Sequence, residues 1–247
     1  MKFYLKHFDR LPSTNSYAME LLENRAAEGT VIWADEQYAG RGQKGNAWKV
    51  EPGLNLTFSL ILHPDLALNK LYAISKVAAL ALHDTIVAHL PPVQVWIKWP
   101  NDLLIYHRKV AGILIENQLE GSRLRSSVMG MGLNLNQRSW PEDLQAKATS
   151  LAEWSRERLD PRAVLFELLE SIERYYALVQ AGQFQALDQA YLGHLYGYQR
   201  EVKVWIDEKL TAAQLLGVEP SGRLVLSIEG KQRSFDVKEL SFELNEN

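Results

Sequence analysis

Residues 93–118 read VQVWIKWPNDLLIYHRKVAGILIENQ, and the fold class turns on them. Val93, Val95 and Ile97 alternate with Gln94, Trp96 and Lys98, a period of two that predicts a strand. Pro100-Asn101-Asp102 breaks the run. LLIY (103–106) and KVAGILIENQ (109–118), parted by His107-Arg108, then predict a hairpin.

On the N-terminal side, residues 14–28 predict a short helix with Ser13 or Thr14 as its cap and Gly29 as its left-handed stop. TVIWADEQ is rich in strand formers and runs into a glycine-dense loop, AGRGQKGN. LNLTFSLIL (54–62) predicts a buried strand bounded by Pro52-Gly53 and Pro64. Leu71, Ile74, Ala78, Ala81 and Thr85 recur at helical spacing, so residues 69–90 predict a helix ended by Pro91-Pro92.

On the C-terminal side, residues 124–136 predict one more strand. Asp160 as cap and Pro161 in the first turn predict a helix running to Gly182, and residues 183–195 a helical connector. From Tyr198 onward, EVKVWID, LTAAQLLGVE, RLVLSIEG and RSFDVKEL are short alternating segments, the pattern of a small antiparallel barrel. The expected class is therefore α+β, with a larger unit over residues 1–195 and a small β-unit over 196–247.

The chain has 247 residues, 47% hydrophobic and 23% charged, with a net charge of −3. Disordered and fibrous classes are excluded by that composition. A basic excess suited to duplex binding is missing, so nucleic acid is not an expected partner. With no cysteine, thiolate metals, disulfides and thiol nucleophiles are ruled out, and a reducing cytoplasm is the expected setting. No stretch reads as a membrane span, so no membrane is expected as a partner.

Four clusters carry candidate chemistry. Gly40-Arg41-Gly42-Gln43-Lys44-Gly45 matches the bare G-x-G-x-x-G pattern, but no helix follows it, as a dinucleotide fold would require. Its glycines let backbone approach a ligand, and Arg41 and Lys44 add charge suited to a phosphate or carboxylate; a solvated surface turn is the alternative. Lys98, Asp102 and Lys109 fall at strand ends in one hairpin, where two ammonium groups beside a carboxylate could neutralise phosphate and hold Mg2+. Asn101 and Asp102 ordinarily bond the backbone of their own turn. Ser13-Thr14-Asn15 caps the first helix and offers donors there. Gly130 and Gly132, inside a strand, imply a close approach. No histidine pair stands at metal-binding spacing, and no G-x-S-x-G elbow occurs.

In this order, STN, ADEQYAGRGQKGNAW, KWPNDLLIYHRKVAGILIE and GMGLNLN resemble the biotin protein ligases over residues 11–136. The resemblance implies a central mixed β-sheet flanked by helices, of the class II synthetase and biotin–lipoate ligase type, followed by a small SH3-like β-barrel. It implies ATP and Mg2+, biotin as substrate, and a biotin carboxyl carrier protein or domain of a carboxylase as partner. By resemblance, Ser13, Thr14, Asn15 and Gln37 line the biotin pocket, and Gly40, Arg41, Gly42 and Gln43 form a loop over the intermediate. Lys109 and Arg41 act in catalysis, with Gly112 beside them. Trp48, Lys98, Asn101, Asp102 and Asn134 contact ATP, and Asp102 holds the metal. Gln43 stands where relatives with GRGRRG carry arginine. A lipoate ligase is the nearest alternative. The STN motif at residue 13 is expected to leave no space for an N-terminal helix-turn-helix module.

Overall fold

A computed structural model describes residues 1–155 and 157–244; the side chain of Lys44 also lies outside the described residues. The elements are β1 (Tyr4–Leu11), α1 (Thr14–Glu23), β2 (Thr30–Gln37), β3 (Leu56–Leu62), β4 (Leu66–Ala67), α2 (Tyr72–Ala88), β5 (Val95–Lys98), β6 (Asp102–Ile105), β7 (Arg108–Glu120) and β8 (Arg123–Leu133). Then come α3 (Leu151–Ser155), α4 (Pro161–Gln180), α5 (Phe184–Gly193), β9 (Glu201–Ile206), β10 (Lys209–Val218), β11 (Leu224–Ile228), β12 (Lys231–Phe235) and β13 (Ser241–Phe242).

The first eight strands make one mixed sheet in the order β1-β2-β3-β8-β7-β6-β5, with β4 on β8. Only β1 and β2 run parallel within it. Side chains alternate across a strand, so parity sorts residues between two faces. Val31, Trp33, Phe58, Leu60, Ala111, Ile113, Met129 and Met131 join α2 and α4 in the main core. Ile32, Ala34, Ile61 and Val128 meet Ala18 and Leu22 of α1 on the other face. Burying each large aliphatic contributes about 1.5–3 kcal/mol, which makes the α2 face the chief source of stability.

Two expectations change, and one strand goes unforeseen. Helix α1 stops at Glu23, because Asn24 caps it and Arg25 turns left-handed at φ 58°; Gly29 instead opens β2. Gly29 has φ +84°, and a Cβ there would stand 2.1 Å from the Lys2 carbonyl oxygen. The N-terminal residues form an edge strand, β1, whose mostly exposed side chains give little periodic signal. Residues Leu68–Ala88 are in fact long and apolar enough to cross a membrane by length and composition, which corrects the reading of no such stretch. Their most apolar window is 67% buried, as befits a helix packed on several sides.

Helix α2 is clamped to α4 at Asp84, which accepts from Arg174 Nη2 at 2.6 Å and from the Tyr175 hydroxyl at 2.8 Å. Burial pushes this carboxyl up, but bonds from His83 and Tyr175 and the charge of Arg174 outweigh it and hold the group below 3.8. A depressed carboxylate contributes stability above its unfolded value and loses it as pH falls through the folded one. Asp84→Asn is thus expected to cost about 1 kcal/mol at neutral pH. Urea melts of both chains should show that gap closing as pH drops from about 7 to about 3; a constant gap would contradict the assignment.

The C-terminal strands form a separate antiparallel sheet in the order β12-β11-β10-β9-β13, as the alternating segments predict. Its inward residues Val204, Leu215, Leu224 and Leu226 join the same buried cluster as the main core. The β10–β11 turn docks on the segment before Asn101. Trp99, 2% exposed, donates from Nε1 to the Gly222 carbonyl at 2.8 Å, and Tyr72 donates its hydroxyl to the Pro100 carbonyl at 3.0 Å. Gly222 has φ +98°, and a Cβ there would stand 2.7 Å from the Tyr72 ring, so the turn needs glycine.

Candidate active site

On the α1 face, strands β3, β8 and β7 break their apolar runs at every second residue. Ser59 pairs with Gly130 and Gly130 with Leu114; Thr57 pairs with Gly132 and Gly132 with Gly112. The result is a shallow, small-residue floor in the middle of the sheet. A cleft opens over it, lined by Ser13, Thr14, Asn15, Gln37, Arg41, Gly42, Gln43, Trp48, Asn101, Lys109 and Gly112 among others. The arginine-bearing loop and the hairpin lysine therefore share one hollow.

The strand glycines make room for side chains of the chain itself. A Cβ on Gly130 would lie 1.9 Å from Asn15 Oδ1, and one on Gly132 would lie 2.3 Å from the Trp48 ring. The close approach expected of Gly130 and Gly132 is thus met by Asn15 and Trp48.

Helix α1 begins at this floor. Ser13 caps it by accepting from the Ser16 amide at 3.4 Å. Gln37 Oε1, at the end of β2, accepts from the Thr14 amide at 2.7 Å and from its hydroxyl at 3.1 Å. Ser59 donates to Asn15 Oδ1 at 2.6 Å, while Asn15 Nδ2 donates to Glu116 Oε2 at 2.9 Å. Asn15 is 4% exposed, and a buried amide with all these partners is fixed in one orientation.

The glycine loop folds on itself. Gly42 donates its amide to Asn46 at 2.7 Å, and Trp48 donates to Gly40 at 3.0 Å, around a short 3-10 turn at Gln43–Gly45. This small hairpin lays Trp48 over Gly112 and Gly132 and sets Arg41 at the rim. Arg41 Nη2 donates to Glu116 Oε1 at 2.6 Å.

Lys109 reaches the cleft through a bulge. Leu104 pairs with Lys109 and Leu103 with Ala111, leaving Val110 as the extra residue. A bulge shifts parity by one, so Lys109 joins the face of Gly112 rather than the opposite one. Its backbone is pinned on both sides, by the Lys147 carbonyl at 2.7 Å and the Thr149 amide at 2.9 Å. Lys109 Nζ stands 2.6 Å from Asp102 Oδ1, and Lys98 Nζ lies 3.6 Å from Asp102 Oδ2.

Four expected residues stand off the cleft wall. Gly40 sits at the base of the loop, and Lys98 and Asp102 stand behind Lys109. Asn134 is buried, donating from Nδ2 to the Thr149 carbonyl at 3.0 Å. Asn101 does line the cleft and closes the hairpin by donating to the Ile113 carbonyl at 2.9 Å. The sequence reading missed Ser59 and Glu116. Glu116 shares the parity of Gly112 on β7, but the register that sets Ser59 beside Gly130 is visible only in the folded sheet.

Among the described residues no group of three or more His, Asp or Glu side chains could hold a metal ion. Asp102 offers a single carboxylate. That suffices for Mg2+ carried on nucleotide phosphates, since Mg2+ is commonly held by one or two carboxylates plus phosphates and water.

The family model described as the biotin/lipoate A/B protein ligase family matches residues 7–134. The chain is 35% identical over 228 residues to the bifunctional ligase/repressor BirA of Bacillus spizizenii, spanning 92% of this chain and 70% of that protein. It is 31% identical over 221 residues to the biotin–[acetyl-CoA-carboxylase] ligase of Paracoccus denitrificans, spanning 88% and 91%. The biotin protein ligase from Aquifex aeolicus in complex with biotin and ATP superposes with a TM-score of 0.78 at 26% identity, over 98% of this chain and 99% of that one.

Proposed function

The chain belongs to the biotin/lipoate A/B protein ligase family, and on that premise we propose that it is a biotin–protein ligase. It activates biotin with ATP and transfers it to a lysine of a biotin carboxyl carrier domain. In the first step a biotin carboxylate oxygen bonds to the α-phosphorus of ATP and the bond to pyrophosphate breaks. In the second, a neutral lysine amine attacks the acyl carbon of the biotinyl adenylate. An amide forms, AMP leaves with the former carboxylate oxygen, and the amine gives up a proton. No nucleophile of the enzyme is needed, which accords with a chain lacking cysteine.

The observation that carries this reading is the lining of the cleft: a hydrogen-bonding floor with, among the described residues, the cations Lys109 and Arg41 beside it. Thr14, Asn15 and Gln37 can exchange hydrogen bonds with a urea ring, which has one strong acceptor and two N–H donors. Lipoate has no such group, only an apolar dithiolane, so the floor favours biotin. Lys109 and Arg41 would stabilise the charge that builds at the carboxylate and the α-phosphate, and holding the two reactants together supplies the rest. Trp48 offers a ring face for the adenine, and Asn134 Oδ1, which has no partner among the described residues, offers an acceptor. Asp102, backed by Lys98, would hold Mg2+, which when bound screens the triphosphate.

Incubation with ATP, Mg2+, biotin and a carrier domain should add one biotinyl group to the carrier by intact mass. Pyrophosphate exchange should respond to biotin and not to lipoate; the reverse preference, or no labelling, would refute the assignment. Gln43 bears on the lifetime of the intermediate. With hydrogen bonding alone at that position the adenylate leaves sooner, so Gln43→Arg is expected to slow its release roughly two- to fivefold. An unchanged off-rate in a chase experiment would remove Gln43 from the loop's grip.

A further inference from the structure

Both cations of the cleft arrive with a carboxylate already attached. Lys109 stands 2.6 Å from Asp102, and Arg41 stands 2.6 Å from Glu116. Bound Mg2+ would draw Asp102 away from Lys109. Glu116 holds Arg41 until another anion competes for it.

Glu116 lies on β7 at the parity of Gly112 and Leu114, 23% exposed, and does not itself line the cleft, although Arg41 and Asn15 do. Its two oxygens divide their work: Oε1 accepts from the loop at Arg41, Oε2 from the floor at Asn15. Arg41 is 47% exposed, and among the described residues its guanidinium meets, apart from Glu116, only the Ser16 hydroxyl, at 3.3 Å.

We propose that Glu116 is the resident counter-ion of Arg41, a positioning residue that limits how firmly the glycine loop holds an anionic acyl–adenylate. The inference deepens the ligase reading and rests on it. The guanidinium has five donors and can face two anions, but two negative groups around one cation repel each other. A phosphate entering the cleft must share Arg41 with Glu116 or displace it, and either route weakens its hold. The intermediate is kept long enough to form and is given up readily to the acceptor amine. Because the same carboxylate bonds Asn15, the loop is also tied to the pocket floor in the ligand-free state.

Glu116→Gln tests this, because the amide oxygen still accepts from Asn15 while the charge is gone. The probes are biotinol-5′-AMP, a phosphodiester that mimics the intermediate with a negative charge, and neutral biotinol. Glu116→Gln should slow dissociation of the phosphodiester roughly three- to tenfold and leave biotinol affinity unchanged. In an Arg41→Ala background the same substitution should have no effect on either probe. Weaker phosphodiester binding, an equal shift for biotinol, or a gain that survives Arg41→Ala would overturn the proposal; the first two are what a merely structural role predicts. If the unsubstituted protein fails to bind biotinol-5′-AMP, the ligase reading falls and this inference with it.

Discussion

Lys109→Ala is expected to slow adenylate formation by about two to three orders of magnitude, the usual loss when one preorganised donor to a developing charge is removed. The ammonium stands in the cleft because Val110 is bulged out of the β6–β7 ladder and the flanking backbone is held by Lys147 and Thr149. Little of the fold depends on the side chain beyond it. Its partner Asp102 keeps Lys98 at 3.6 Å, so the stability cost should stay near about 1 kcal/mol. Biotin-dependent pyrophosphate exchange measures the first quantity and a urea melt the second. Near-normal exchange in a folded variant would take Lys109 out of the mechanism.

Gly130→Ala is expected to be as damaging by a different route. The new methyl would sit 1.9 Å from Asn15 Oδ1 and 2.7 Å from Asn15 Cγ. Neither side can give way. Asn15 is held by Ser59, Glu116 and the Leu114 carbonyl, and Gly130 lies on a strand paired on both edges. Overpacking of this kind costs about 1–3 kcal/mol, and biotin affinity should fall at least about a hundredfold as Asn15 is driven off the floor. Adding Asn15→Ala should recover the stability without the affinity. Calorimetric titration with biotin, alongside melts of both variants, separates the two effects, and unaltered affinity in Gly130→Ala would refute the packing argument.

Much of this was readable before any coordinates. The hairpin over 103–118, the helix opened by Asp160 and Pro161, and the C-terminal strands all carry strong periodicity or strong punctuation. Strand β1 was not readable, because an exposed edge strand beside one parallel neighbour has no apolar alternation to betray it. The loop, the helix cap and Lys109 were legible as separate motifs. Their convergence was not, since it depends on a one-residue bulge that reverses the parity of Lys109. Ser59 and Glu116 went unnoticed for a related reason. Each looks like an ordinary polar residue until the neighbouring strands are in register and the glycines line up beside it.

The bond from the Trp99 ring to the Gly222 carbonyl makes the small C-terminal sheet a buttress for the hairpin. If the turn is cut away, the indole N–H loses this acceptor and the ring loses its cover. Shortening the chain, or loosening its last strands by heat, would therefore be felt at Asn101 and Asp102 through the two residues before them. Damage at the far terminus should register as poorer handling of the nucleotide well before the larger sheet gives way.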